Sequence, residues 1–309
     1  MIPFQKILVA FSSEAKDRTT LELALRLAGQ SGGSLTIAHV IPPLPEDLPV
    51  DIGGEGDLRE MLAHAAGERL QAMAESLPET GVPVETLVLT GHPAMEIVRE
   101  VLRNGHDLLI KASGTKRRIS EHLLGSVDMR LLRKCPCPVW IVKPGGHKEL
   151  KTVLATIDPT SPDEVEQELN HSMIKLGHQL AEVNGAELHV LHAWSAWGEN
   201  RLRGRMRSVD FGEYVLALRS RAAKAFSGFL QPHSSLVPPQ HRHLLEGNPE
   251  DVVPDFVRER DVDLVVMGTV ARMGIPGFLI GNTAEMILGR VGCSILAVKP
   301  EGFVTPVEL

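Results

Sequence analysis

An α/β fold built from two tandem, doubly wound, five-stranded parallel sheets is predicted by three features of the sequence. They are an internal duplication, a regular alternation of apolar runs with helical stretches, and a length of 309 residues that favours two domains over one. The duplication is the firmest. Leu27-Ala28 through Gly32 to His39 realigns with Leu180-Ala181 through Gly185 to His192, 153 residues further on. Gly91-His92-Pro93 realigns with Gly247-Asn248-Pro249 at an offset of 156, which then holds through Asp107/Asp263, Gly125/Gly281, Cys137/Cys293, Val142/Val298 and Lys143-Pro144/Lys299-Pro300. So constant an offset marks two copies of one unit. The joint falls near Pro144-Gly145-Gly146, whose composition suits a linker, giving domains 1–144 and 149–309.

Within the first copy the elements follow in order. Lys6–Ser12 is predicted as a strand on its run Ile7-Leu8-Val9-Ala10, and Ala15–Gln30 as a helix. Ser31-Gly32-Gly33-Ser34 precedes the second strand instead of following the first, so it is a helix stop and not a phosphate loop. Ser34–Ile41 (strand), Leu58–Glu75 (helix), Pro83–Leu89 (strand) and Ala94–Asn104 (helix) come next. Asp107–Lys111 (strand), Val127–Lys134 (helix) and Val139–Val142 (strand) complete the unit. Nearly continuous apolar runs such as Leu108-Leu109-Ile110 and Leu264-Val265-Val266-Met267 are what a parallel sheet covered on both faces requires. Such a sheet binds ligands beyond the carboxyl ends of its strands. The last strands, Val139-Trp140-Ile141-Val142 and Ile295-Leu296-Ala297-Val298, are apolar and lie at sheet edges, where unpaired backbone groups seek a partner.

Bulk properties exclude several classes. A formal net charge of −7 argues against nucleic acid as the main partner, because a phosphate backbone needs a basic face. No apolar run approaches the roughly 18 residues of a membrane span. The amino terminus, Met1-Ile2-Pro3-Phe4-Gln5-Lys6, leads into a strand and lacks the features of a signal peptide. Three cysteines, Cys135, Cys137 and Cys293, are too few for a disulfide scaffold. A soluble, cytoplasmic protein is expected.

Copy two holds the denser chemistry. Its fourth strand ends in Met267-Gly268-Thr269-Val270-Ala271-Arg272, followed after eight residues by Gly281-Asn282-Thr283-Ala284-Glu285. A glycine at a strand end lets backbone approach a bound phosphate closely. Asn282 is predicted as a helix N-cap with Glu285 as its capping-box partner, and the N-terminus of that helix is a ready anion site. The Glu285 carboxylate works against an anion there, since it would satisfy some of the same donors. Spacing alone leaves two readings open: a phosphate loop, or tight turns before a well-capped helix.

Gly268, Gly281 and the following Asn282-Thr283 resemble the signature of the universal stress protein family: Gly, two residues, Gly, nine residues, Gly, then Ser or Thr. The stretch from Gly268 to Glu285 is similar to the second domain of the tandem E-type members, and the resemblance extends over both copies. It implies an adenine nucleotide alpha hydrolase-like fold and an ATP site in the second domain, with Mg²⁺ entering only alongside ATP. On that resemblance Asp158, ending the first strand, faces the adenine. Backbone groups at His192 and Ala193 assist, while Gly268, Thr269, Arg272, Gly281, Asn282 and Thr283 surround the phosphates. Ala271 stands where the second signature glycine belongs, and Asn282 replaces the Ser or Thr.

Copy one departs further: Ser12 stands for Asp158, Ala112 and Thr115 occupy the first two glycine positions, and only Gly125-Ser126 remains. Lys111 and Lys116-Arg117-Arg118 could attract an anion, but a basic run is more often a solvated face, so copy one is expected to be structural. Cys135-Pro136-Cys137 lacks a second cysteine pair to complete a zinc site. His241 and His243 share a strand face, with His189 on the adjacent strand. They could hold a metal, although surface or satisfied core histidines are commoner, and no residue is assigned to a metal. His39 and His192 are equivalent by the repeat and are expected to pack strand ends. Arg201, Arg203, Arg205 and Arg207 could form an anion-binding lid or a plain exposed loop.

No nucleophile–base pair announces a reaction, so the expected function is a stress-response binding module with one adenine-nucleotide site in copy two, at most a slow ATPase. The alternatives are a ligand-independent interaction protein and a carrier of another small amphipathic or anionic molecule. The two domains are expected to form a pseudo-dimer within one chain, with a homodimer of chains as a further assembly.

Overall fold

The computed structural model describes residues 3–12, 14–44, 55–114, 124–143, 149–196, 208–269 and 280–309. The first half runs β1 (Lys6–Phe11), α1 (Glu14–Ser31), β2 (Ser34–Ile41), α2 (Glu55–Glu75), β3 (Val84–Thr90), α3 (Pro93–Asn104), β4 (Leu108–Ala112), α4 (Ser126–Lys134) and β5 (Val139–Val142). The second runs β6 (Thr152–Thr156), α5 (Glu164–Asn184), β7 (Glu187–Trp194), α6 (Ser208–Leu230), β8 (Arg242–Glu246), α7 (Pro249–Glu259), β9 (Leu264–Gly268), α8 (Asn282–Arg290) and β10 (Ser294–Val298). Short 3₁₀ turns at Gln231–His233 and Pro239–His241 lead into β8. Each half has the doubly wound arrangement expected of it, with the same strand order.

All ten strands form one sheet, ordered β3-β2-β1-β4-β5-β10-β9-β6-β7-β8. Neighbours within each half are parallel. The halves meet through β5 and β10, which pair antiparallel with Trp140 opposite Leu296. This is the edge pairing anticipated from the two apolar last strands. Successive residues of a strand face opposite sides, so Ile7, Val9, Ile110 and Trp140 join Val153, Val266 and Leu296 in one core cluster. Leu8, Leu109, Val139 and Ile141 join Leu154, Val265 and Ile295 in the other. Both clusters cross the seam, so neither half has a core wholly its own. The carboxyl-terminal tail adds to this, with Val307 buried and the Glu308 carbonyl accepting from Arg99 Nε at 2.9 Å.

The repeat is visible in single contacts. Asp107 accepts from the backbone N–H of Gln5 and Lys6 at 2.7 and 3.0 Å, and Asp263 does the same for Lys151 and Thr152 at 2.6 and 2.9 Å. Gly91 and Gly247, which open the turns into α3 and α7, sit at φ of 139° and 138°, where a side chain is disfavoured.

Two stability predictions follow from this packing. Trp140 is 1% exposed at the seam, so Trp140→Ala should lower stability by about 3–5 kcal/mol in urea denaturation; a change below 1 kcal/mol would mean that the seam contributes little. Lys299 is 9% exposed and holds its ammonium over the Phe303 ring, 4.9 Å from the centroid, while burial pushes its pKa down to about 8. An unfolded lysine titrates near 10.4, so between about pH 8 and 10.4 the native state binds fewer protons and stability rises with pH. Lys299→Met should therefore raise stability at pH 7 by about 2–3 kcal/mol and flatten that rise.

Candidate functional site

A cavity of about 900 Å³ opens at the carboxyl ends of the second-half strands. Its walls come from the segments after β6 and β7, the end of β9, the first turns of α5, α7 and α8, and Leu218, Arg221 and Ala222 of α6. Asp158, Ala193, Gly268, Gly281, Asn282 and Thr283 all line it. Thr269 does not: it is fully buried, and its N–H donates to the Val298 carbonyl at 3.4 Å. Arg272, with Ala271, lies outside the described residues, as do Thr115 to Arg118, the linker at Pro144 to Gly146, and Arg201 to Arg207.

One wall is rich in hydrogen-bond acceptors. Asp158 is held by Asn170, which accepts from its N–H at 3.2 Å and donates to its carbonyl at 2.9 Å. Its carboxylate accepts from Thr160 N–H and Oγ1 at 3.1 and 2.6 Å. His192 donates from Nδ1 to the Ile157 carbonyl at 3.1 Å, as His39 does to Phe11 in the first half, so each ring ties two strand ends together. That bond requires the proton on Nδ1 and leaves Nε2 a bare acceptor. His192 lines the cavity, is 4% exposed, and its Nε2 has no partner among the described residues. Burial lowers its pKa, so the ring is neutral at pH 7.

The other wall offers donors, and here the structure corrects the sequence reading. Gly281, not Asn282, is the N-cap of α8, and among the described residues no side-chain cap hydrogen bond is made there. Asn282 is therefore the first helical residue, one position inside the expected cap. Glu285 is no capping-box partner: its carboxylate reaches across the seam to Arg133, 2.7 Å away. Gly281, Asn282, Thr283 and Ala284 at the start of α8 line the cavity. Among the described residues the first-turn acid Glu285 turns to Arg133, leaving a helix N-terminus of the kind that attracts an anion. Gly268 has a second use, since a Cβ there would stand 2.9 Å from Leu169 Cδ2 of α5.

At the matching place in the first half the chain supplies its own anion. Asp128 is fully buried and accepts from Gly114 and Gly125 N–H at 2.9 and 3.1 Å, while its other oxygen meets Lys111 Nζ at 2.8 Å. Lys111 also donates to the Ala112 carbonyl at 2.8 Å. The 156-residue offset matches Asp128 with Ala284 and Lys111 with Met267, so the second half lacks this internal pair. Likewise Ser12 is taken up by buried Asp17, which accepts from its N–H at 2.6 Å. Sequence reasoning treated Lys111 as an anion attractor and missed Asp128, although the contrast with Ala284 and Met267 stands in the alignment of the copies.

Cys135 and Cys137 are buried with their sulfurs 3.5 Å apart. Burial pushes the Cys293 thiol up to about 12 and, with the Cys135 hydrogen bond as the larger cause, raises Cys137 well above its usual value. Cys137 and Cys293 are therefore poor thiolate nucleophiles at pH 7.

The Lys111–Asp128 pair generates a direct test. Asp128→Ala leaves a buried ammonium without its carboxylate and should destabilise by about 3–5 kcal/mol in chemical denaturation. The double change Lys111→Met with Asp128→Ala installs the second half's residues and should recover most of that loss; no recovery would show that the pair matters beyond its own charges.

Residues 3–143 and 150–299 each match the universal stress protein family. The chain is 29% identical over 313 aligned positions to universal stress protein E of Escherichia coli K12 and to that of Salmonella typhi, covering 100% of this chain and 98% of each relative. Among solved structures, a functionally unknown protein from Pseudomonas aeruginosa PAO1 superposes with a TM-score of 0.73 at 23% identity, over 97% of this chain and 94% of that one. A universal stress protein from Archaeoglobus fulgidus gives 0.65 at 17% identity, over 95% and 97%. Two family matches in tandem, on two halves of one strand order, make this chain a member of the universal stress protein family.

Proposed function

We propose that the chain is a cytoplasmic stress-response binding protein that takes one adenine nucleotide, ATP with its Mg²⁺, in the second-half cavity. The observation that carries this reading is the asymmetry between the halves. In the second, an α8 N-terminus with glycine as its N-cap opens on a cavity lined also by Asp158 and His192. In the first, a buried carboxylate and ammonium occupy the same position. The Asp158 carboxylate is an acceptor suited to an adenine amino group or ribose hydroxyls. Backbone donors at Gly281, Asn282 and Thr283 suit the phosphates. Met267 and Ala284 leave room where Lys111 and Asp128 stand in the first half. Ala193 contributes backbone between the two poles, and Arg272 is the cation assigned to the terminal phosphate. Any hydrolysis is slow, since the role of the site is binding.

A second reading rests on the lining itself. Leu169, Met173, Leu218, Val253 and Ile287 add an apolar wall, which would suit an amphipathic ligand with an anionic head at α8.

Calorimetry with Mg–ATP should give one site per chain. Asp158→Ala should weaken it about 10- to 100-fold, the value of a hydrogen bond to a charged group. Ala284→Asp carries the first half's carboxylate into the second and should abolish binding. ATP binding that survives Ala284→Asp would sink the phosphate assignment. Native mass spectrometry showing a tightly held amphipathic molecule, with no heat from ATP, would favour the second reading.

A further inference from the structure

Near the amino-terminal ends of β7 and β8, away from the cavity, three metal-ligating side chains converge. β7 and β8 are parallel, with Val190 beside Arg242 and Leu191 beside His243, so His189 lies next to His241. Residues two apart on a strand share a face, so Glu187 and His189 of β7 lie together, with His243 of β8 and His241, the last residue of the 3₁₀ turn before β8, beside them. The His189 and His241 rings stack with centroids 4.3 Å apart. His189 Nε2 and His241 Nε2 stand 3.5 and 3.8 Å from the same Glu187 Oε2. One ligand atom from each of the three residues lies within 4.8 Å of the other two. We propose that Glu187, His189 and His241 form a binding site for a borderline divalent cation, Zn²⁺ foremost, with His243 orienting His189 from behind.

The spacing suits the ion. Zinc bonds of about 2.0–2.2 Å in tetrahedral geometry separate ligand atoms by roughly 3.3–3.5 Å, so small side-chain adjustments close the site. His189 Nδ1 and His243 Nε2 are 2.9 Å apart, the outer hydrogen bond by which a ligating imidazole is held in one tautomer. With His189 donating from Nδ1, its Nε2 lone pair faces the Glu187 carboxylate, and a cation between two acceptors turns a repulsion into two bonds. Two imidazoles and a carboxylate select zinc-like ions over Mg²⁺ or Ca²⁺, which favour oxygen ligands. A nearby cation is Arg260, whose guanidinium lies over the Phe256 ring, 5.9 Å from its centroid, on the ring that also meets His189 and His243. The Glu187 side chain is 65% exposed and gives the ion a way in, leaving a fourth position for water. Bound there, the ion ties the 3₁₀ turn that leads into edge strand β8 to β7.

The test uses the untagged full chain, stripped with EDTA and titrated with Zn²⁺ alone. One ion per chain is expected, together with the intense visible absorption of four-coordinate Co²⁺ on cobalt substitution and a rise in Tm. Glu187→Gln and His241→Gln alter side chains outside the core, so folding is retained, and each should weaken binding at least tenfold and remove the Tm rise. His243→Gln, acting through His189, should weaken it about 10- to 100-fold. Unchanged affinity in natively folded Glu187→Gln and His241→Gln would overturn the proposal, as would the absence of stoichiometric binding by the unmodified chain.

Discussion

The backbone pairing between β5 and β10 is the constraint on which the rest of this molecule depends. Each strand would otherwise present an apolar, unpaired edge, the form of surface most prone to association. Paired with each other, they join two five-stranded sheets into one of ten and let both core clusters run through the seam. The pairing is antiparallel, so the strands of the two halves point in opposite directions. The carboxyl ends that carry the two equivalent sites therefore lie on opposite rims of the sheet.

Those rims have diverged by a change of few residues. In the first half, the N–H groups of Gly114 and Gly125 are satisfied by a carboxylate that a buried lysine neutralises. In the second, Met267 and Ala284 can offer nothing of the kind, and α8 begins at a glycine N-cap. A buried pair of this sort adds little net stability over apolar residues of similar size, although breaking it is costly. Both solutions therefore fit one backbone, and the difference between them is chemical, not architectural.

The fold was legible because its signals are local and repeated. The runs Ile7-Leu8-Val9-Ala10 and Leu264-Val265-Val266-Met267 need cover on both faces, and Gly91 and Gly247 recur because one turn recurs. The cavity followed from topology, since Asp158 and Gly281 stand after strands that share a rim, although Ala193, expected just after its strand, lies within the end of β7. What stayed hidden depends on distance in sequence. Nothing near Glu285 announces that it meets Arg133, 152 residues away. The pairing of Lys111 with Asp128 requires knowing that a strand end and a helix start converge. The contribution of α6 to the cavity could not be read either, because amphipathic spacing says which face is buried but not against what. His189 and His243 were recognisable as neighbours on adjacent strands, but His241, expected on the same strand as His243, ends the 3₁₀ turn before it, and its convergence with His189 on Glu187 was not legible.

The opposite orientation of the halves also bears on how such a chain can change. In a homodimer of single domains, every substitution appears at both sites at once, so a carboxylate that closes one closes the other. Joining the copies in one polypeptide preserves the two-fold packing across β5 and β10 while releasing the sites from that symmetry. The exchange of Met267 and Ala284 for Lys111 and Asp128 is open only to a chain that encodes its two halves separately, so that one can be sealed while the other stays open.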